Sequence, residues 1–245
     1  VYVDSDANIT IFDGGFISAA AFGDGDAGDV AVQANNIYLN DYGNPAFTGI
    51  TSQTQAQGSA GNIVINALQI ELFDNAFINS DSLLKEEFSV NGSGNAGDIS
   101  ITSKDLLLNG SKISSSTATA GSAGNLSIEI ENTLMPFDGA SINSKTTSTG
   151  IGGNAGSVLI ESGKIYLDNV SAITTDTLGS GKAGSINLVA KELLSLSNFS
   201  YITSGTSGIG DAGSVEISSK DIILEGSGVS SIVTTIGSDS FGEGN

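Results

Sequence analysis

Ala96-Gly97-Asp98-Ile99-Ser100-Ile101 decides the fold of this chain, because its pattern occurs seven times. Ala-Gly is followed by Asp, Asn or Ser, then an aliphatic, a free position and a second aliphatic. The other copies begin at Ala27-Gly28, Ala60-Gly61, Ala123-Gly124, Ala155-Gly156, Ala183-Gly184 and Ala212-Gly213. One such pair means little in a chain with 33 glycines. Seven pairs with the same alternation after them define a repeat. Successive glycines are 33, 36, 27, 32, 28 and 29 residues apart. A unit of about thirty residues is the length of a solenoid coil.

Each unit carries three short strand signals. The first is the motif itself. The second places aliphatics nine and eleven residues past the glycine, as at Ile37 and Leu39, Ile70 and Leu72, Leu106 and Leu108, Ile165 and Leu167, and Ile222 and Leu224. Two units deviate, and Leu134 with Met135 and Leu193 with Leu196 are read as their pairs. The third strand centres on Ile50, Ile78, Ile113, Ile142, Ile173, Ile202 and Val229. Alternation at period two buries one face of each strand. Ile9 to Ser18 fits the second and third strands of an incomplete first coil. Helical spacing is missing, and three strands per thirty residues do not suit a propeller blade.

The expected fold is therefore an all-β, right-handed parallel β-helix with three short strands per coil. Residues 1–245 form a single array, read as a segment of a longer chain because the pattern runs to both ends. Stacked at about 4.8 Å per coil, the array would be roughly 35 Å long. Gly28, Gly61, Gly97, Gly124, Gly156, Gly184 and Gly213 are expected to be structural corners. Glycine suits a corner through a positive φ or through close approach of the next coil. The Asp, Asn or Ser after it is expected to bond local backbone and stack on its equivalents.

Composition narrows function. Net charge is −19, and the eight basic residues are all lysine. Phosphate-neutralising grooves need clustered Lys and Arg, so no nucleic-acid partner is expected. An anionic membrane would repel the chain, and no apolar run suits membrane insertion. Cysteine and histidine are absent, which removes thiol and imidazole chemistry.

The unit Gly94 to Thr102 followed by Leu106 to Ser114 resembles the repeats of filamentous-haemagglutinin-type exoproteins of the two-partner secretion class. The resemblance runs from Asn8 to about Thr235. It implies an extracellular location on a bacterial cell surface and a structural or adhesive role. It implies partners at the coil ends, either another copy or flanking chain, and a glycan or surface protein as ligand. The Asn-Pro-Asn-Gly-type motif of the family's secretion domain is not found in this sequence, so this region corresponds to the rod. A self-assembling surface filament or surface-layer component is the alternative. A polysaccharide-active β-helix enzyme comes last.

Candidate sites were weighed on residue chemistry. Glycoside hydrolysis needs two facing carboxylates. Glu129, Glu131 and Glu161 are the nearest approach, and a solvated outer face explains them better. No catalytic or cofactor-binding residue is expected. Asp24, Asp26 and Asp29 are the best calcium candidates, although they match neither an EF-hand nor a nonapeptide calcium repeat, so no metal ligand is assigned. Insertions at Asp41 to Phe47 and Asp81 to Phe88 offer Tyr42, Phe47 and Phe88 as contacts for a glycan or protein. The Ser114 to Thr117 and Thr146 to Thr149 clusters are read as solvated turns.

Overall fold

The computed structural model describes residues 1–43, 47–55, 57–83, 93–150 and 152–233. Within them the chain is a parallel β-solenoid with no helix. The first three coils each carry three strands. They are β1 (Tyr2–Asp4), β2 (Asn8–Phe12) and β3 (Phe16–Ser18), then β4 (Val30–Gln33), β5 (Asn36–Asn40) and β6 (Gly49–Thr51), then β7 (Ile63–Asn66), β8 (Gln69–Phe73) and β9 (Phe77–Asn79). In later coils the first two strands run on as one bent strand. These are β10 (Ile99–Asn109) with β11 (Lys112–Ser114), β12 (Leu126–Phe137) with β13 (Ser141–Asn143), and β14 (Val158–Leu167) with β15 (Ala172–Thr174). The last two are β16 (Ile186–Leu196) with β17 (Tyr201–Thr206) and β18 (Val215–Leu224) with β19 (Gly228–Val233).

Every pairing is parallel and joins equivalent strands of neighbouring coils. Ile63, Ile99, Leu126, Val158 and Ile186 follow one another in register. Ile50, Ile78, Ile113, Ile142, Ile173 and Ile202 form a second, completely buried column. The first coil also carries a first strand, in which Tyr2, Val3 and Asp4 pair with Ala31, Val32 and Gln33.

Two expected pairs are corrected. The buried residues are Leu134 with Pro136 and Leu194 with Leu196, while Met135 faces outward and Leu193 is only partly buried. The registers shift between Ile130 and Thr133 and between Ala190 and Leu193. One extra residue at each bulge moves the inward positions along by one.

The corners explain the repeat. A Cβ on Gly61 would lie 2.5 Å from the carbonyl of Gly28, and one on Gly97 would lie 2.3 Å from the oxygen of Gly61. The same approach recurs at Gly124, Gly156, Gly184 and Gly213. None of the seven corner glycines has a positive φ. Close backbone stacking, not left-handed geometry, is what demands glycine here.

A second glycine column stands three residues earlier. Gly58, Gly94, Gly121, Gly153, Gly181 and Gly210 each put the site of a Cβ within 2.5 Å of backbone belonging to the glycine below. The corner is thus Gly-x-Ala-Gly in all seven copies, from Gly25 to Gly213.

Buried hydroxyls weld this corner to the third strand. The Ser80 Oγ donates to the Gly61 carbonyl (2.7 Å) and accepts from the Gly97 amide (3.0 Å). Ser52, Ser115 and Ser144 repeat the arrangement one coil after another. Thr175 instead donates to Gly184, one corner further on, and Ser204 donates to the same carbonyl. Each hydroxyl lies two residues past the third-strand aliphatic. Two residues further on, Thr54, Ser82, Thr117, Thr146, Thr177 and Thr206 form another buried column. The expected solvated turns are therefore corrected in part. Ser115, Thr117 and Thr146 are buried inside the stack, where Ser115 supplies a hydrogen-bond partner that aliphatics cannot, and Ser114 is buried on the outer face against Asp81, while Thr147 and Thr149 are exposed.

Left-handed turns follow the second strand. Asp13-Gly14, Tyr42-Gly43, Asp74-Asn75, Asp138-Gly139, Asn169-Val170 and Asn198-Phe199 all take positive φ. Val170, at φ 64°, is β-branched in a region that suits Gly or Asn.

Three stability results are expected in thermal unfolding followed by circular dichroism. Gly97→Val should lose about 3 kcal/mol, the upper end of overpacking costs, because backbone surrounds the added carbon. Gly23→Ala, with nothing within 4 Å of the new carbon, should unfold as the parent does. Ser80→Ala should lose about 1–3 kcal/mol by stranding a buried amide and a buried carbonyl. Equal melting of Gly97→Val and Gly23→Ala would contradict the stacking account.

Candidate functional site

Aliphatic columns and hydroxyls occupy the interior, and the described cavity lies on the outer surface. The outer side of the sheet formed by the third strands, β3, β6, β9, β11, β13, β15, β17 and β19, carries columns of equivalent residues. Phe16, Gly49, Phe77, Lys112 and Ser141 form one, and Ser18, Thr51, Asn79, Ser114 and Asn143 form the next. Over the first coils these columns floor a groove of about 810 Å³. Phe16, Phe22, Phe47, Phe77 and Leu83 give it apolar walls, with Gln53 and Gln55 among them.

Local packing fixes the walls. A Cβ on Gly49 would lie 2.7 Å from the Phe77 ring, so glycine is what lets that ring lie across the neighbouring strand. Phe47 meets Phe77 edge to face at a centroid distance of 5.9 Å. The base of the Phe47 loop is tied down by Thr48, whose Oγ1 donates to the Asp41 carboxylate (2.6 Å) and accepts from the Gly14 amide (2.8 Å). Phe47 itself remains 77% exposed and Phe16 66% exposed. Two polar side-chain atoms of the groove lining, Thr51 Oγ1 and Asn79 Oδ1, are buried and have no hydrogen-bond partner.

A carboxylate lies buried on the same outer face. The Asp81 Oδ1 accepts from the Ser114 hydroxyl (2.8 Å) and the Ser116 amide (2.7 Å), and Lys112 stands 3.8 Å from Oδ2. Burial pushes the Asp81 carboxyl above its ordinary value, against the opposing pull of Lys112 and its donors. Three coils further on, at the position equivalent to Asp81, Asp176 pairs with Lys145 at 3.3 Å. These carboxylates tie coils together and do not face one another as an acid and base would.

The expected candidates fall into different places. The seven corner glycines are buried or half-buried in the stack, apart from exposed Gly28, and belong to the scaffold. Asp26 accepts from the Ser59 amide and Asp29 from the Asn62 amide, each at 2.7 Å. They are rungs in two cross-coil ladders. The rung at Asp29 continues through Asn62, Asp98 and Asn125 to the amide of Ser157. Among the described residues no group of three acidic, His or Cys side chains is placed to hold a metal ion.

Glu129 and Glu161 are direct neighbours across β12 and β14, both exposed, and Glu131 pairs with Lys104 at 3.7 Å. Like charges one strand apart repel. Tyr42 packs against Phe12 and is not part of the groove, so the structure separates it from Phe47. Phe88 lies outside the described residues.

Sequence reasoning missed Phe16, Phe22, Phe77 and the two glutamines. A signal was present for two of them. Phe16 and Phe77 immediately precede the inward-facing Ile17, which is partly buried, and Ile78, which is fully buried, so period-two alternation turns both rings outward.

No protein-family model, curated protein or solved structure matches the chain. The class it can be assigned to is thus that of its own geometry, the parallel β-solenoids. No helix among the described residues is long and apolar enough to cross a membrane.

The buried carboxyl gives a pH prediction. A carboxyl whose value is higher in the fold than in the unfolded chain favours folding when protonated. Its contribution is present at low pH and is lost as pH rises through the folded value. Asp81→Asn should therefore gain stability relative to the parent as pH rises from 4 to 8. Paired calorimetric scans check this, since the other carboxylates are common to both proteins. A stability difference that is flat or shrinks with pH would count against it.

Proposed function

We propose that this chain is the non-catalytic structural and adhesive rod of an exported bacterial surface protein, of the two-partner secretion type. The observation that carries the reading is the repeat itself, Gly-x-Ala-Gly followed by alternating aliphatics in seven copies, in the form that resembles haemagglutinin-type exoproteins. The chemistry of the chain agrees. Histidine and cysteine are absent, all the basic residues are lysine, and the glutamate neighbours stand exposed on one flat face. A strongly acidic surface keeps long parallel rods apart and soluble.

A self-assembling filament or surface-layer component is the second reading. In that reading copies of the chain associate through their coil ends.

Labelling of intact producing cells with antibody raised against the purified chain tests the first reading. Bright labelling without permeabilisation is expected. Signal that appears only after lysis would overturn it. Sedimentation of the purified chain separates the second reading, which requires association that grows with concentration.

A further inference from the structure

We infer that Lys112 and Asn79 join in an intramolecular amide bond, with Asp81 carrying the protons, so that one coil is stapled covalently to the next. This goes beyond the rod reading and does not rest on it.

Three side chains meet at one carboxylate oxygen. Asp81 Oδ2 accepts from the Asn79 amide nitrogen at 3.3 Å, and Lys112 Nζ stands 3.8 Å from the same oxygen. The Ser114 hydroxyl and the Ser116 amide hold the other oxygen, which fixes the carboxylate in place. Asn79 lies on β9 and Lys112 on β11, in neighbouring coils. An amine nucleophile, an amide and a proton carrier are thus gathered on a rigid sheet, which is the arrangement that aminolysis of an amide needs. Lys112 reaches in from solvent with 45% of its side chain exposed, while that of Asp81 is only 6% exposed. Burial favours the neutral carboxyl, so Asp81 accepts a proton more readily than a solvated carboxylate does. Hydrolysis would need water at the Asn79 carbonyl, whose oxygen is buried and has no hydrogen-bond partner.

The reaction balances without any co-reactant. Asp81 takes a proton from the Lys112 ammonium, and the freed amine attacks Asn79 Cγ, pushing the carbonyl electron pair onto Oδ1. Asp81 passes its proton to the departing nitrogen and takes one from the attacking nitrogen. The carbonyl re-forms, the Cγ–Nδ2 bond breaks, and ammonia leaves, taking the last proton from Asp81 as ammonium. One C–N bond replaces another. The chain holds its own comparison site at Asp176 and Lys145, where the residue corresponding to Asn79 is Thr174, which has no amide to give up. The bond bridges the coil with the longest unit, the 36 residues from Gly61 to Gly97. Closing a longer loop costs more entropy, and a covalent staple removes that freedom from the unfolded chain. Amide formation also removes the Lys112 charge that opposes burial at Asp81, so the pH slope expected for Asp81→Asn keeps its sign.

The test is high-resolution mass spectrometry of the full folded chain. Its intact mass should fall below that of its sequence by one ammonia, and digestion should release a branched peptide in which Asn79 and Lys112 are joined. Lys112→Arg keeps a cation beside Asp81 but lacks a nucleophilic amine, so it should fold, show its full sequence mass and melt below the parent. Asp81→Ala should also keep its full mass, with circular dichroism to show that it is folded; if it does not fold, Lys112→Arg decides. Four results would overturn the proposal. They are full sequence mass in the folded parent, loss of ammonia without the branched peptide, the same loss persisting in Lys112→Arg, and loss of water in place of ammonia, which would join Lys112 to Asp81 itself.

Discussion

The fold depends on how closely one coil can sit on the next at the Gly-x-Ala-Gly corner. There, backbone lies on backbone at a distance that excludes any Cβ, and the glycine carbonyls and amides are turned toward the interior. Those groups need partners, and the third strand supplies them as serine or threonine hydroxyls two residues past each buried aliphatic. Glycine column and hydroxyl column are one device. The glycines permit the approach, and the hydroxyls satisfy what the approach buries. The aliphatic columns of the first two strands then fill the remaining interior by the usual apolar burial.

That device also sorts what the sequence showed from what it hid. The aliphatic alternation and the Ala-Gly pairs were legible because period two and a thirty-residue recurrence survive insertions. The glycine three residues earlier, at Gly58 or Gly94, was just as regular but was lost among 33 glycines. The hydroxyl at Ser115 was misread as solvated, and those at Ser52, Ser80 and Ser144 were passed over, for one physical reason. Serine after a strand commonly marks a solvated turn, and only a polar corner on the opposite wall makes it an interior residue. Leu134 with Pro136 and Leu194 with Leu196 were displaced by single-residue bulges, which no periodicity count anticipates. Val1 and Val3 repeat the alternation of Val30 and Val32, and Tyr2 to Asp4 pair with β4 accordingly.

The candidate site was less legible than the fold. Phe47 was singled out from its insertion, yet its partners Phe16 and Phe77 come from β3 and β9, one coil to either side. A solenoid brings residues about thirty positions apart into one column, so an outer-face site is scattered in sequence by construction. Regular ladders leave little freedom for function inside the stack. Variation collects on the outer columns and in the inserted loops, and the aromatic groove lies where those two meet.

Amide hydrogen exchange of the native chain, resolved by residue, tests the central claim most directly. The amides of Gly61, Gly97, Gly124 and Gly156 are held by buried serine hydroxyls. They should exchange as slowly as the strand amides of Ile101 and Ile128, opening only with the stack. Exchange at the rate of the exposed loop glycine Gly150 would contradict the account, because the corners would then be turns carried by the strands and not the contact on which the strands depend.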